Sequence, residues 1–167
     1  ISTLPIIVTC GVGYILIQFS SNGLTNANNI QQQISQKEFE IKLVDINSAH
    51  MSIQDVGMYY YNRQRKQLLE MEISTLISQR NNHINDALMY ALMIAEGELS
   101  LPTSFSIAVV LLANIRSFLT IQNISFTASL PIIMKISLLQ SQLQKKNIGF
   151  ASLRQELLNL KFQLRIQ

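Results

Sequence analysis

The 167-residue chain has little cysteine, proline, glycine or charge. It contains one cysteine, three prolines, six glycines and no tryptophan. A single cysteine excludes a disulfide framework within the chain. Because glycine and proline punctuate turns, their scarcity favours long helices over a sheet with many turns. Charged residues make up only 14 % of the sequence, against about 25 % in ordinary soluble domains. A surface with so little charge is easily buried against partner proteins.

The residues that could carry chemistry are few and scattered. The two histidines, His50 and His83, fall on different predicted helices, and neither has further ligands at zinc-binding spacing. Glu96 and Glu98 stand at i and i+2, and such positions point in different directions on a helix. We therefore expect no enzymatic activity, no metal site and no bound cofactor.

The chain does contain one long uncharged stretch at its beginning. Residues 1–19 read ISTLPIIVTCGVGYILIQF, and the first charged residue after them is Lys37. A helix of this length crosses the roughly 30 Å hydrocarbon core of a bilayer. We therefore predict a transmembrane anchor over residues 1–21. It is expected to be retained rather than cleaved, because no small-residue cleavage site of a secretory signal follows it.

Small residues lie near the middle of this predicted anchor. Such residues let two helices approach closely inside a membrane, which predicts a helix-packing face made of Thr9, Cys10, Gly11 and Gly13. Cytoplasmic flanks of anchors are rich in lysine and arginine, whereas the flank that follows this run is uncharged up to Lys37. The body of the protein is therefore expected on the non-cytoplasmic side, in a periplasm, at the cell exterior or in an organellar lumen.

Residues 22–167 are predicted to form an antiparallel helical bundle, which makes the chain all-α. Apolar positions between Ile30 and Met51 recur in three- and four-residue steps, so the anchor helix is expected to continue into the body, with Gly23 as its weak point. Asn81 and Asn82 are expected to interrupt the next helical stretch. The further helices are predicted over residues 52–79, 84–97, 103–121, 131–146 and 150–165. The last of them carries an apolar stripe made of Leu153, Leu157, Leu160 and Leu164.

The sequence YYYNRQRK, residues 59–66, combines aromatic and basic side chains. It supplies candidate contacts for a partner or a small anion, which are Tyr59, Tyr60, Arg63, Arg65 and Lys66. A solvated helix face beside packed aromatic rings is the simpler interpretation. Nucleic-acid binding is not expected, because the net charge is only +3 and the basic residues do not form a continuous stripe.

These features favour a membrane-anchored structural or interaction subunit of a multi-protein assembly, such as an envelope appendage, a secretion machine or a respiratory-type complex. Its expected partners are membrane lipid and other protein subunits. A pilin-like filament subunit is one version of this hypothesis, although Pro5 stands where type IV pilins commonly carry glutamate, and no β-sheet head is visible. The alternative is an extracytoplasmic helical sensor domain of a membrane receptor, in which residues 59–66 line a ligand site.

Overall fold

The computed structural model describes the backbone of residues 3–52, 54–96, 102–146 and 151–165, and the side chains of residues 13–52, 54–96, 105–144 and 151–165. The described chain is all-helical, as predicted, and these residues contain no strand. The helices are α1 (Thr3–Ala49), α2 (Val56–Glu96), α3 (Pro102–Ile121), α4 (Leu130–Lys146) and α5 (Ala151–Gln163).

The two longest helices are less interrupted than the sequence predicts. Gly23 is an ordinary helical residue inside α1. The predicted break at Asn81 and Asn82 is wrong, because α2 runs through both residues and fuses two predicted helices into one. Arg80 and Ile84 on either side of the asparagine pair are buried. Tertiary contacts therefore outweigh the weak local preference of asparagine for a helix end.

Two helix starts can be traced to local signals in the sequence. α3 begins at Pro102, where the missing N–H of proline would have had no partner within the helix. α2 was expected to begin near Ser52. Instead the carbonyl of Asp55 accepts the first bond, from the N–H of Tyr59 at 2.9 Å. Asp55 is therefore the residue that caps α2, a position that aspartate favours.

The chain divides into two compact units. We call Asn26–Asn82 the hairpin unit, and Ile1–Thr25 together with His83–Gln167 the terminal unit. The hairpin unit holds the later part of α1, the connection to α2 and the earlier part of α2.

The terminal unit has an aliphatic core in which α5 contacts α3 and α4. The predicted leucine stripe of α5 is confirmed, because all four of its residues are buried. An ion pair joins α3 to α5, with Arg116 Nε 2.7 Å from Glu156 Oε1. The largest fully buried side chains of this unit are Ile84, Leu88, Leu92, Leu112, Ile115, Leu119, Ile132, Ile136, Leu153, Leu157 and Leu160.

Helices α1 and α2 approach each other closely in the terminal unit at two small residues. The hydroxyl of the buried Ser20 donates to the carbonyl of Ala87 at 2.9 Å. A Cβ placed on Gly23 would lie 3.1 Å from the carbonyl oxygen of His83 and 3.2 Å from Ala87 Cβ. Because both of these atoms belong to α2, glycine at position 23 permits the close approach of α1 to α2.

The predicted anchor overlaps only partly with the residues that the structure describes. Its backbone is helical from Thr3 onward. The predicted packing residues Thr9, Cys10 and Gly11 lie outside the described side chains, and Gly13 is half-buried. Among the residues that the structure describes, no helix combines the length and the apolar character needed to cross a membrane. The transmembrane segment and the boundaries 1–21 and 22–167 therefore stay predictions.

Candidate functional site

The hairpin unit is an antiparallel pair of helical segments from α1 and α2. Three ion pairs cross between the segments: Lys37–Glu72 at 2.6 Å, Glu40–Arg65 at 3.2 Å and Asp45–Lys66 at 3.0 Å. The segments are antiparallel, because Lys37 contacts Glu72 whereas Asp45, later on α1, contacts Lys66, earlier on α2. All of these side chains are at least a quarter exposed. Each pair therefore contributes only about 0–1 kcal/mol, and their main effect is to favour this register.

Buried polar residues reinforce the register between the same two segments. Arg80 is 6 % exposed, and its Nη1 donates to Gln31 Oε1 at 2.7 Å. Burial lowers the pKa of the Arg80 guanidinium, while the charge of Glu38 opposes this shift. Arginine stays protonated nonetheless. Nearer the connection, Asn62 Nδ2 donates to Ser48 Oγ at 3.4 Å. Polar residues at such positions specify one alignment of a helix pair at a cost in stability.

Two adjoining clefts lie beside the connection between α1 and α2. The first, which we call the tip cleft, has a volume of about 320 Å³. The second has a volume of about 340 Å³ and shares Ser48 and Tyr59 with the first. The tip cleft is lined by Val44, Asp45 and Ser48 of α1 and by Tyr59, Asn62, Arg63, Lys66, Gln67 and Glu70 of α2. The second is lined by Ser48, Met51, Ser52, Asp55, Val56, Tyr59 and Tyr60.

Most of the residues singled out between positions 59 and 66 meet at these clefts. Tyr59, Arg63 and Lys66 line the tip cleft, because positions i, i+4 and i+7 share one face of a helix. Tyr60 lines the second cleft, and its ring meets that of Tyr59 edge-on with the centroids 5.8 Å apart. Arg65 lines neither cleft, since its guanidinium contacts Glu40 instead.

The tip cleft also contains two carboxylates that the sequence did not single out. Asp45 lies 3.0 Å from Lys66. Its hydrogen bond and its charge raise the pKa of Lys66 above the usual 10.5, and the charge of Glu70 has a smaller effect in the same direction. Glu70 is one helical turn beyond Lys66, so spacing alone could have found it. Asp45 could not have been found in this way, because it comes from α1 and depends on the register of the hairpin.

The hairpin unit also exposes a stripe of large apolar side chains on α1. Phe39, Leu43 and Ile46 are 60 %, 45 % and 54 % exposed. At 3.6 residues per turn these positions fall on one face, opposite the face that carries Ile34 and the contacts with α2. Exposed apolar patches of this kind mark interaction surfaces in many proteins. We call these three residues the α1 stripe.

The other titratable side chains that the structure describes do not gather into a recognisable reaction centre. His50 follows α1 and His83 lies within α2. Within the described ranges, no group of three or more histidine, cysteine or acidic residues is placed to hold a metal ion. In the terminal unit, Glu96 Oε2 accepts a bond from Lys135 Nζ at 2.8 Å, while its Oε1 is buried and has no hydrogen-bond partner among the described residues.

Comparison with known proteins identifies no relative. No protein-family model, no curated protein and no solved structure matches this chain. The α1 stripe and the tip cleft are therefore the features that bear on function.

Proposed function

We propose that this chain is a membrane-anchored helical subunit of a multi-protein assembly. The α1 stripe is the observation that carries the proposal. Its three large apolar side chains occupy one face of α1 and are about half exposed. Fully burying a side chain of this size is worth about 1.5–3 kcal/mol, and about half of that remains to be gained at a half-exposed side chain. A partner that covered all three would therefore gain a substantial binding free energy.

The terminal unit offers a second apolar surface that supports the same proposal. On α4, Leu130, Met134 and Leu138 recur every four residues, and each is more than half exposed. Phe162 on α5 is 88 % exposed. A chain with only 14 % charged residues also has few charges to desolvate when it associates. These features fit an interaction subunit better than an isolated domain.

The membrane anchor belongs to the same proposal and is supported by the sequence. Residues 1–19 are uncharged, and the backbone from Thr3 is helical. We propose that this segment contacts lipid and that Thr9, Cys10, Gly11 and Gly13 contact a neighbouring helix. The body would then lie on the non-cytoplasmic side, as part of an envelope appendage, a secretion machine, a respiratory-type complex or a pilin-like filament.

The first test is the mass of the particle that carries the chain. The protein is extracted from its native membrane in mild detergent, and the particle mass is measured by light scattering together with chromatography. We expect a defined particle much heavier than one chain in its detergent micelle, with subunits that mass spectrometry can identify. A strictly monomeric particle without any bound protein would contradict the proposal.

A substitution series then tests whether the α1 stripe is the contact. Replacing Phe39, Leu43 and Ile46 together by glutamine removes the apolar face and is expected to release the subunit from the particle. The control replaces three exposed amides of the hairpin unit by alanine at Gln33, Gln54 and Gln64, and this control is expected to leave the particle mass unchanged. Circular dichroism should report the same helix content for both variants. An unchanged particle in the stripe variant would rule out this surface as the contact.

The second candidate function is an extracytoplasmic sensor domain. It is favoured by one observation, that Tyr59, Arg63 and Lys66 line a common cleft. A sensor must bind a ligand and pass the event on, whereas an assembly subunit needs neither property. A native particle that contains a signalling subunit and responds to a ligand of the tip cleft would favour this candidate.

A further inference from the structure

We propose that the tip cleft binds a small zwitterion of the amino-acid or betaine type. A ligand of this class carries one carboxylate and one ammonium group and is neutral overall. The inference rests on the sensor proposal for its biological role only, because binding to the cleft can be measured whether or not a signal follows.

The charges of the tip cleft balance, which is the first argument for this ligand class. Arg63 and Lys66 contribute two positive charges, and Asp45 and Glu70 contribute two negative charges. A multiply charged anion such as phosphate would be attracted by the first pair and repelled by the second. A ligand with both signs of charge can satisfy both pairs at once.

Arg63 is the group best placed to hold the carboxylate. Lys66 is already compensated by Asp45 at 3.0 Å, whereas Arg63 makes no ion pair or hydrogen bond with any residue that the structure describes. The guanidinium offers parallel N–H donors that match the two oxygens of a carboxylate. Because Arg63 is exposed, it can meet a ligand without first losing a partner.

Tyr59 and Tyr60 supply the complementary half of the site. Their rings meet edge-on at 5.8 Å, and Tyr59 lines both clefts while Tyr60 lines the second. Aromatic faces attract ammonium groups, and quaternary ammonium groups above all. Glu70 in the tip cleft and Asp55 in the second cleft place carboxylates on the same two surfaces. The tip cleft, at about 320 Å³, is at the small end of ligand pockets and suits a small molecule.

The test is a titration of the isotope-labelled full chain in detergent micelles, followed by NMR. The probes are glycine betaine and alanine as zwitterions, choline as a cation, and acetate and inorganic phosphate as anions. We expect saturable shifts at Tyr59 and Asn62 with the two zwitterions, at affinities at least about tenfold higher than those for choline, acetate or phosphate. Phosphate binding as tight as either zwitterion, or no saturable shift with any probe, would overturn the proposal.

Two variants locate the ligand groups. Arg63→Gln is expected to weaken betaine binding about tenfold or more, since it removes a charge-assisted bond, and to leave choline binding unchanged. Arg63→Lys, which keeps the charge and loses the planar fork, is expected to restore part of the betaine affinity. The control is Arg154→Gln on α5, an exposed arginine outside both clefts. If Arg154→Gln weakens betaine as much as Arg63→Gln does, the effect is general electrostatics and the site is refuted.

The failure of this inference can be told apart from the failure of the sensor proposal. A chain that binds betaine through Arg63 but lies in a particle without a signalling subunit keeps the site and loses only the sensor role. A chain that binds none of the probes loses the site, whatever the particle contains.

Discussion

Replacing Arg116 by methionine should destabilise the terminal unit strongly. Arg116 Nε lies 2.7 Å and its Nη2 3.3 Å from the two carboxylate oxygens of Glu156. The side chain of Glu156 is 7 % exposed and that of Arg116 is 33 % exposed. The hydrogen bond with Glu156 and its charge raise the pKa of the Arg116 guanidinium, against the opposing effect of burial. Glu156 therefore depends on Arg116 for its only ionic partner among the described residues.

The size of the effect follows from the burial of the carboxylate. Removing one partner of a buried ion pair costs about 3–5 kcal/mol, because the other charge is left uncompensated. We expect about 3 kcal/mol for Arg116→Met, at the low end, because a third of the arginine side chain already meets water. The double variant Arg116→Met/Glu156→Leu removes both charges and should return to within about 1 kcal/mol of the parent, since an apolar pair of similar volume replaces a buried ion pair at little cost.

The assay is urea unfolding followed by circular dichroism for the parent, both single variants and the double variant. Equal m-values across the four proteins would show that the same surface is exposed in each case. Arg154→Met, which changes an exposed arginine of α5, is the control and should stay within about 0.5 kcal/mol of the parent. A loss below about 1 kcal/mol for Arg116→Met, or a double variant as unstable as the sum of the single variants, would show that Arg116 does not compensate a buried charge on Glu156.

Three further predictions concern the helix contacts. Gly23→Ala should destabilise the protein by about 1 kcal/mol, since the new Cβ meets the α2 framework at 3.1–3.2 Å. Gly57→Ala, with nothing within 4 Å of the new Cβ, should instead stabilise it by up to about 1 kcal/mol. A change of the melting temperature in the same direction for both glycine variants would contradict this explanation. Gln31→Leu should cost about 1–3 kcal/mol by leaving Nη1 of the buried Arg80 without its 2.7 Å acceptor, while Nε and Nη2 keep their bonds to Asn81 Oδ1. Gln31→Leu/Arg80→Leu should recover part of that loss in urea unfolding. Because the pKa of Lys66 is raised above 10.5, its pairing with Asp45 should be complete below that pH and be lost as the pH rises through the higher folded-state value. NMR titration of the Lys66 Nζ group in Asp45→Asn should show its pKa falling back towards 10.5, and an unchanged value would remove Asp45 as the cause.

The sequence predicts best where a single helix decides the outcome. The stripe from Leu153 to Leu164 needs only the period of one helix, and all four of its leucines are buried. The asparagine pair at positions 81 and 82 misled the prediction, because a local preference worth a few tenths of a kcal/mol competes there with buried contacts on both sides. The helical class and the buried faces of the helices could therefore be predicted from the sequence, whereas the continuity of α2 could not.

For the candidate site as well, only the features within one helix could be predicted from the sequence. Tyr59, Arg63 and Lys66 share one face of α2, so their meeting at the tip cleft follows from helical spacing. Asp45 and Ser48 complete the cleft from α1, and their position depends on the register between two antiparallel segments. That register is favoured by contacts such as Gln31–Arg80, whose partners lie 49 residues apart. No local pattern in the sequence contains this information.

The interface between the two segments of the hairpin unit, which we call the hairpin seam, also bears on the proposed assembly. Arg80, Gln31 and Asn62 are polar residues that are buried in the hairpin unit. Such residues specify a register but add less stability than aliphatic residues in the same place. The three ion pairs across the seam are partly exposed, and such pairs contribute little. A helix pair held in this way gains stability if a partner covers the α1 stripe, because burial of that face adds to the apolar burial that Ile30, Ile34 and Leu69 already provide. We therefore expect the hairpin unit to exchange its amide hydrogens more slowly within the native particle than in the isolated chain.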